Sequence, residues 1–200
     1  MPKFAAPALV ISECQQGLLH PPAGAFSALS TQAADRDIVG RTAQLARTFR
    51  ARSLPVVHCV IAHRPDQMGM LPNSYLGKLA IRDHLMIEGS PDVAIPAELG
   101  PEPTDLVSTR ATGLTAFYGT NLDAMLRLQR VQTLVLAGIS TDVALPGLAL
   151  EAVNRGYDVV LAEDCTAGSS AGGHDFMVKN MLGMLTRVMP AAEVIPRLPA

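Results

Sequence analysis

The chain has 200 residues, of which 48% are hydrophobic and 17% charged, and its formal net charge is −2 at pH 7. This length is typical of one domain, and the composition allows a buried core, which excludes a disordered chain. The balanced charge offers no basic excess for nucleic acid or an acidic membrane surface, and no apolar run approaches the ~18 residues that would cross a bilayer. We therefore expect one domain over residues 1–200 that binds neither nucleic acid nor membrane.

Three cysteines, Cys14, Cys59 and Cys165, lack the paired spacing of a disulfide framework and favour reduced thiols. The apolar stretch at the N-terminus is too short for a signal peptide with a cleavage site, and it fits a first strand instead. Both observations predict a cytoplasmic protein.

Short apolar runs in the first half of the chain predict strands separated by one helix. Residues 8–12 form the first run and residues 54–61 the second. Between them, apolar residues at helical spacing predict a helix over 35–52, capped by its first residue, an aspartate. Prolines break up residues 67–103, apart from one or two helical turns at 76–81. This insertion is predicted to be either a lid or an oligomer contact.

The second half of the chain alternates strands and helices at short intervals. Residues 105–109 predict a third strand, 134–137 a fourth and 159–162 a fifth. Residues 187–189 predict a last edge strand, and Pro190 then opens a short helix. The helix between the fourth and fifth strands shows apolar residues at i, i+3, i+4, i+7 and i+8, which are Leu145, Leu148, Ala149, Ala152 and Val153.

Strand, helix and strand at this length make a βαβ unit, whose strands are parallel. The predicted fold is α/β, a three-layer α/β/α sandwich around a mostly parallel six-stranded sheet of the Rossmann-like kind. Ligands of such sheets bind outside the carboxyl ends of the strands, which places the candidate site at 138–144 and 164–170. An irregular loop with His20, Pro22 and Gly24 would cover it. The residues predicted to be buried in strands are Leu9, Val10, Val57, Val60, Val107, Leu134, Leu136, Val159 and Val160.

The fourth strand opens a longer motif of strand, Gly-x-x-Thr-x-x-Ala, alanine-rich helix, Gly-Tyr, strand and acidic end. Its residues are Gly138, Thr141, Ala144, Ala152, Gly156, Tyr157 and Asp164. With a cysteine in place of Ala144, this motif resembles the isochorismatase-like cysteine hydrolase superfamily, which includes isochorismatases, nicotinamidases and N-carbamoyl amidohydrolases. The chain resembles a branch of that superfamily that lacks the nucleophilic cysteine.

The resemblance extends to the ends of two other strands. Glu13-Cys14-Gln15 matches the family's Asp-x-Gln with Glu for Asp, and Arg110 stands near the family's lysine, with a one-residue uncertainty that Gly113 would absorb. The implied catalytic positions are therefore Glu13, Arg110 and the vacant nucleophile position Ala144. A solvated turn residue and a surface cation are the alternative interpretations of Glu13 and Arg110.

The resemblance also implies residues that contact the substrate, and a cis peptide bond between Ile139 and Ser140. For Arg64 and Asp66, an ion pair that braces a loop is an equal alternative. Ser140 or Thr141 could offer a hydroxyl as nucleophile, but neither has a histidine base in register, and Thr141 with Asp142 is better explained as a helix cap. The implied substrate-binding residues are Gln15, His58, Arg64, Asp66, Phe117, Ile139, Ser140 and Thr141.

His58 and His63 stand five residues apart without a carboxylate between them, which argues against zinc, and we expect no metal and no cofactor. His174, at the start of a late helix, is assigned no role. The resemblance implies a hydrolase that cleaves a vinyl ether or an amide in a small, anionic molecule, with water as nucleophile and Glu13 as acid or base. Arg110 would either pair with Glu13 or hold a substrate carboxylate. The alternative is a catalytically inactive, small-ligand-binding pseudoenzyme, and in either case we expect a homo-oligomer.

Overall fold

One parallel sheet organises the fold, which a computed structural model describes for residues 2–21 and 26–200. Its strand order is β3-β2-β1-β4-β5-β6, and every neighbouring pair is parallel, so the predicted α/β class is confirmed with a wholly parallel sheet. Of the predicted covering loop, Pro22 and Gly24 lie outside the described residues. The strands are β1 (Pro7–Ser12), β2 (Val56–Ile61), β3 (Leu106–Arg110), β4 (Thr133–Ile139), β5 (Asp158–Ala167) and β6 (Arg187–Met189).

Helices cover both faces of the sheet and complete the three predicted layers. A π-helical turn at Val178–Leu182 joins α7 to α8, and 3₁₀ turns lie at Pro91–Val93, Ala97–Leu99 and Ile195–Arg197. Among the described residues, no helix is long and apolar enough to cross a bilayer. The α-helices are α1 (Gln16–Leu19), α2 (Ser27–Asp35), α3 (Ile38–Ala51), α4 (Tyr75–Arg82), α5 (Leu122–Leu128), α6 (Ala144–Asn154), α7 (Ala171–Met177), α8 (Gly183–Leu185) and α9 (Ala191–Val194).

The side chains of β1 alternate between two hydrophobic cores. Leu9 and Ile11 belong to the core that contains residues of α3, whereas Ala8 and Val10 belong to the core that contains residues of α5 and α6. Successive side chains of a strand point to opposite faces of the sheet. An apolar run without polar interruptions is therefore stable only in the middle of a sheet that is covered on both sides.

The predicted strand core is buried except at Val107, where the prediction was wrong. Val107 is 38% exposed, while its neighbours Ser108 and Arg110 are buried. The reason is that β3 lies at the edge of the sheet, and the face of the strand that carries Val107 and Thr109 is exposed. The apolar character of an edge residue does not by itself report burial.

Two element boundaries differ clearly from the sequence prediction, the start of the long helix and the end of the fifth strand. Asp35 does not cap the long helix; it ends the separate helix α2, and Asp37 precedes α3. β5 continues to Ala167, because it pairs with β4 again after a register shift between Leu136 and Gly138. The predicted last edge strand and the short helix after Pro190 are confirmed.

The order of the strands reverses between β1 and β4, which is the position where open α/β sheets form a ligand crevice. The two strands approach each other closely at Gly138, whose φ is +100°. A Cβ atom there would lie 2.2 Å from the carbonyl oxygen of Ser12, so only glycine fits. One residue further on, the peptide bond between Ile139 and Ser140 is cis, as the resemblance implied.

Candidate active site

A cavity of about 1060 Å³ opens at the carboxyl ends of the central strands. We call five of its residues the floor: Glu13 after β1, His63 after β2, Arg110 at the end of β3, and Ser140 and Ala144 around the start of α6. They are far apart in sequence but converge because parallel strands end at the same edge of the sheet. The structure therefore brings four of the predicted site residues together and adds His63.

Glu13 and Arg110 form a nearly buried ion pair in the floor. Arg110 Nη2 donates to Glu13 Oε1 at 2.6 Å, and the two side chains are 6% and 17% exposed, in that order. Arg110 Nη1 donates to the carbonyl of Gly113. The backbone of Glu13 has a φ of +52°, and its N–H donates to the Cys59 carbonyl at 2.8 Å. Of the two uses left open for Arg110, the structure shows the pairing with Glu13.

Two opposing effects act on the protonation of Glu13. Burial raises the pKa of its carboxyl group above the usual value, and the charge and hydrogen bond of Arg110 oppose that rise. The net direction is upward, because one cation does not fully replace the water that the carboxylate loses. Glu13 is therefore easier to protonate than an exposed glutamate.

His63 is 8% exposed and held in one orientation. Its Nδ1 lies 2.9 Å from the carbonyl oxygen of Ala111, which requires the hydrogen of the neutral ring to be on Nδ1. Burial lowers the pKa of His63, the hydrogen bond to Ala111 opposes this, and the charge of Arg110 adds to the lowering. The neutral ring consequently has its lone pair on Nε2. Sequence reasoning considered this residue only as a zinc ligand.

The start of α6 is not capped in the way the sequence predicted. Val143 occupies the N-cap position without a side-chain cap, and Ala144 is the first, buried residue of the helix. The Asp142 carboxylate accepts the N–H of Ser169 at 2.8 Å, so it ties the start of α6 to the segment after β5. The cap assigned to Thr141 and Asp142 is thus a correction.

Thr141 belongs to a buried polar chain behind the floor. Its Oγ1 lies 3.1 Å from Nδ1 of His174, whose Nε2 lies 3.0 Å from Glu163 Oε1. Arg36 donates to the same carboxylate oxygen at 2.5 Å. His174 is 1% exposed, so the residue that was assigned no role connects the β4–α6 segment to β5. Thr141 is fully buried and does not line the cavity.

All three cysteines are free and buried, and none of them lines the cavity. Burial raises the pKa of Cys14, of Cys59 and of Cys165 to about 12. A thiol with such a pKa is almost entirely protonated at neutral pH, and the protonated form is a poor nucleophile.

Gln15 and His58, both expected to contact substrate, have structural partners instead. The Gln15 side chain is fully buried: its Oε1 accepts the N–H of Ile61 at 2.7 Å, and its Nε2 donates to the carbonyls of Ile61 and Val93 at 2.8 and 2.9 Å. His58 Nε2 lies 3.1 Å from Asp105 Oδ2. Neither side chain lines the cavity.

The other expected substrate contacts also lie off the cavity. Arg64 and Asp66 form an exposed ion pair with an N–O distance of 2.6 Å, which is the alternative kept open for them. Phe117 is buried beneath the guanidinium of Arg155, 4.4 Å from the ring centroid. Ile139 is fully buried in a core.

One wall of the cavity comes from the insertion that was least readable in the sequence. Residues 70–86, including α4, line it, so this segment forms part of the site. The cavity has a largely apolar rim, which includes Leu71 and Tyr75 of this wall and Leu114, Tyr118 and Val143 of other segments. Within residues 2–21 and 26–200, no three His, Cys, Asp or Glu side chains group closely enough to hold a metal ion.

Comparisons with known proteins find relatives over most of the chain. The family model described as the Isochorismatase domain matches residues 7–193. YecD of Escherichia coli O157:H7, an uncharacterized isochorismatase family protein, is 30% identical over 196 residues, which are 94% of each chain. Maleamate amidohydrolase of Pseudomonas putida is 26% identical over 169 residues, 84% of this chain and 76% of that one. A crystal structure of an isochorismatase family protein from Desulfovibrio vulgaris matches with a TM-score of 0.83 and 26% identity, over 96% of this chain and 97% of that one.

Proposed function

The chain belongs to the isochorismatase family, since the family model matches residues 7–193, and on this basis we propose that it hydrolyses an amide bond of a small molecule with water as the nucleophile. One relative is named maleamate amidohydrolase, which supports an amide as the bond that is cleaved. The observation that carries the proposal is the Glu13–Arg110 pair, which shares the floor of the cavity with Ala144.

Water is the proposed nucleophile because the floor offers no activated side chain for that role. Ala144 has a methyl group at the position where the family resemblance implies a thiol. The three cysteines are buried away from the cavity, and burial raises the pKa of each thiol to about 12. A water molecule requires only a proton acceptor and a positioned carbonyl group.

In the proposed reaction, Glu13 supplies a proton. The water oxygen bonds to the carbonyl carbon and releases one proton, the C–N bond breaks, and the leaving nitrogen takes the proton from the Glu13 carboxyl group. The proton released by the water replaces, by way of solvent, the one that Glu13 gave. The buried environment favours the protonated form that this role needs. Arg110 then stabilises the carboxylate that remains, because its Nη2 already donates to Oε1 at 2.6 Å.

The charges on the cavity support a neutral substrate better than the anionic one expected from sequence. Both arginines of its described lining have a carboxylate partner: Arg110 pairs with Glu13, and Arg82 pairs with Asp83 at 2.6 Å. The rim is largely apolar. We therefore propose a primary amide, or an N-carbamoyl compound, with an apolar portion that packs against the rim.

Two alternatives follow from particular observations. Hydrolysis of a vinyl ether begins with protonation of carbon, and the raised pKa of Glu13 favours the acid that this step requires. A pseudoenzyme that binds a small ligand is supported by the vacant position 144. We further propose a homo-oligomer, since Leu150, Phe176 and Met184 expose apolar side chains on neighbouring helices. The three free cysteines support a cytoplasmic location for it. Light scattering at micromolar concentration tests this assembly, and a monomer would refute it.

The test of hydrolysis is a panel of maleamate, nicotinamide, N-carbamoyl amides and isochorismate, with release of ammonia or the cleaved product as the readout. Wild type should turn over at least one amide, and iodoacetamide should leave the rate unchanged because no reactive thiol participates. Glu13→Gln should lower kcat by about 10²–10⁴-fold. Glu98→Gln, an exposed glutamate outside the cavity, is the matched control and should retain full activity. Saturable binding without turnover of any compound would favour the pseudoenzyme.

A further inference from the structure

We infer that His63 is the general base of the reaction, and that its Nε2 takes the proton from the attacking water. This inference rests on the proposed hydrolysis and adds the proton acceptor that the Glu13–Arg110 pair does not supply. His63 lines the cavity just beyond the end of β2. In the sheet, β2 lies between β1, which Glu13 follows, and β3, which ends at Arg110.

Three hydrogen bonds hold His63, two through its backbone and one through its imidazole ring. Its backbone N–H donates to the Met86 carbonyl at 2.7 Å, and its own carbonyl accepts the N–H of Glu88 at 2.8 Å, which makes a short parallel bridge around Ile87. The ring then bonds through Nδ1 to the carbonyl of Ala111. A base held in this way loses little conformational entropy when it reacts.

Nε2 is the one part of this ring without a partner among the described residues. His63 lines the cavity and is 8% exposed, and its Nε2 has no hydrogen bond in the described parts of the chain. Because Nδ1 carries the hydrogen, Nε2 can only accept one. An acceptor on a residue that lines a cavity is satisfied when a water molecule or a substrate donor binds beside it.

The protonation states of the two floor residues suit opposite roles. Burial raises the pKa of Glu13 and favours its acid form, and burial lowers the pKa of His63 and favours its basic form. Two titratable groups shifted in opposite directions at one site are the pattern of an acid and a base. As the water oxygen bonds to the carbonyl carbon, one water proton moves to Nε2. As the C–N bond breaks, the Glu13 proton moves to the nitrogen, and solvent returns His63 and Glu13 to their starting states.

The decisive variant is His63→Asn, assayed with an amide from the panel that wild type hydrolyses. The asparagine amide can still donate to the Ala111 carbonyl, so the structural bond is kept while the basic nitrogen is lost. We expect kcat to fall at least 100-fold with little change in KM, and the acidic limb of the pH–rate profile to disappear. Glu98→Gln is again the control, since Glu98 is exposed and lies outside the cavity, and it should leave the rate unchanged.

Two further measurements complete the test. Nitrogen NMR of histidine-labelled protein should show His63 as the Nδ1–H tautomer at neutral pH, and a hydrogen on Nε2 would overturn the inference. Activity within threefold of wild type in His63→Asn would also overturn it while leaving the hydrolysis proposal intact. Loss of wild-type activity in EDTA would assign Nε2 to a metal ion instead. Absence of turnover by wild type would refute the hydrolytic function itself, and the base role with it.

Discussion

Replacing Arg110 with methionine removes one partner of a nearly buried ion pair and keeps most of the apolar length of the side chain. The pair has an N–O distance of 2.6 Å and exposures of 6% and 17%. Removing one charge of a buried pair costs about 3–5 kcal/mol, because the other charge is left without compensation. For a chain of this size, that loss corresponds to a fall in Tm of roughly 6–20 °C.

The loss should depend on pH in a direction that the protonation of Glu13 determines. Without the cation, the pKa of Glu13, already raised by burial, rises further. A group whose pKa is higher in the folded state supports stability at low pH and loses that support as pH rises through the folded pKa. The variant should therefore lose more stability at pH 8 than at pH 5, because a larger fraction of Glu13 is neutral at the lower pH.

Urea unfolding at fixed protein concentration, followed by far-UV circular dichroism, measures the effect, since the chain has no tryptophan. The double variant Glu13→Gln with Arg110→Met should regain most of the lost stability because it removes both charges. Arg82→Met breaks an ion pair whose arginine side chain is 71% exposed and should change little. An equal loss at pH 5 and pH 8, or a double variant as unstable as Arg110→Met, would refute the reasoning.

Three other predictions concern neighbouring parts of the structure. Ala144→Cys, in a background without the native cysteines, should react with iodoacetamide faster than an unperturbed thiol because α6 begins there; a slow thiol would contradict a polarised pocket. Gly138→Ala should lower the free energy of unfolding by about 3 kcal/mol or more, since the added Cβ would lie 2.2 Å from the Ser12 oxygen. Gly156→Ala should cost less, because Gly156 also has a positive φ but lies in open space. Burial lowers the pKa of His58, so the stability of wild type should fall as pH drops below about 6.5. His58→Gln should show a smaller fall in the same urea titration, and an equal dependence of stability on pH in the two proteins would contradict this.

The central strands could be predicted because burial on both faces leaves an uninterrupted apolar run in the sequence. Leu134 to Ala137 is such a run, and it lies in the middle of the sheet. The same reasoning failed at Val107, since nothing local distinguishes an edge strand from a central one. The extension of β5 to Ala167 depends on renewed pairing with β4, which is a tertiary effect.

The site was predictable where it consists of residues at strand ends, as for Glu13, Arg110 and Ala144. It was not predictable where contacts join distant segments. Thr141 and His174 are 33 positions apart, and their contact requires the packing of α7 against the end of β4. His63 gives no local signal that its ring is bonded to the Ala111 carbonyl, 48 positions away. The wall at 70–86 belongs to an insertion with little hydrophobic periodicity, so its position beside the cavity could not be predicted from the sequence.

The side chain of Gln15 acts as a short length of β-strand. The backbone of β1 turns away after Glu13, so Ile61 has no main-chain neighbour on that side. The side-chain amide of Gln15 accepts the N–H of Ile61 and donates to its carbonyl, as a residue of an antiparallel strand would. Two positions later the chain reaches His63. The location of the proposed base is therefore determined partly by an amide group 48 positions earlier, and Gln15→Glu would place a carboxylate where a hydrogen-bond donor is required. Such a change would alter the site without touching any residue that lines it.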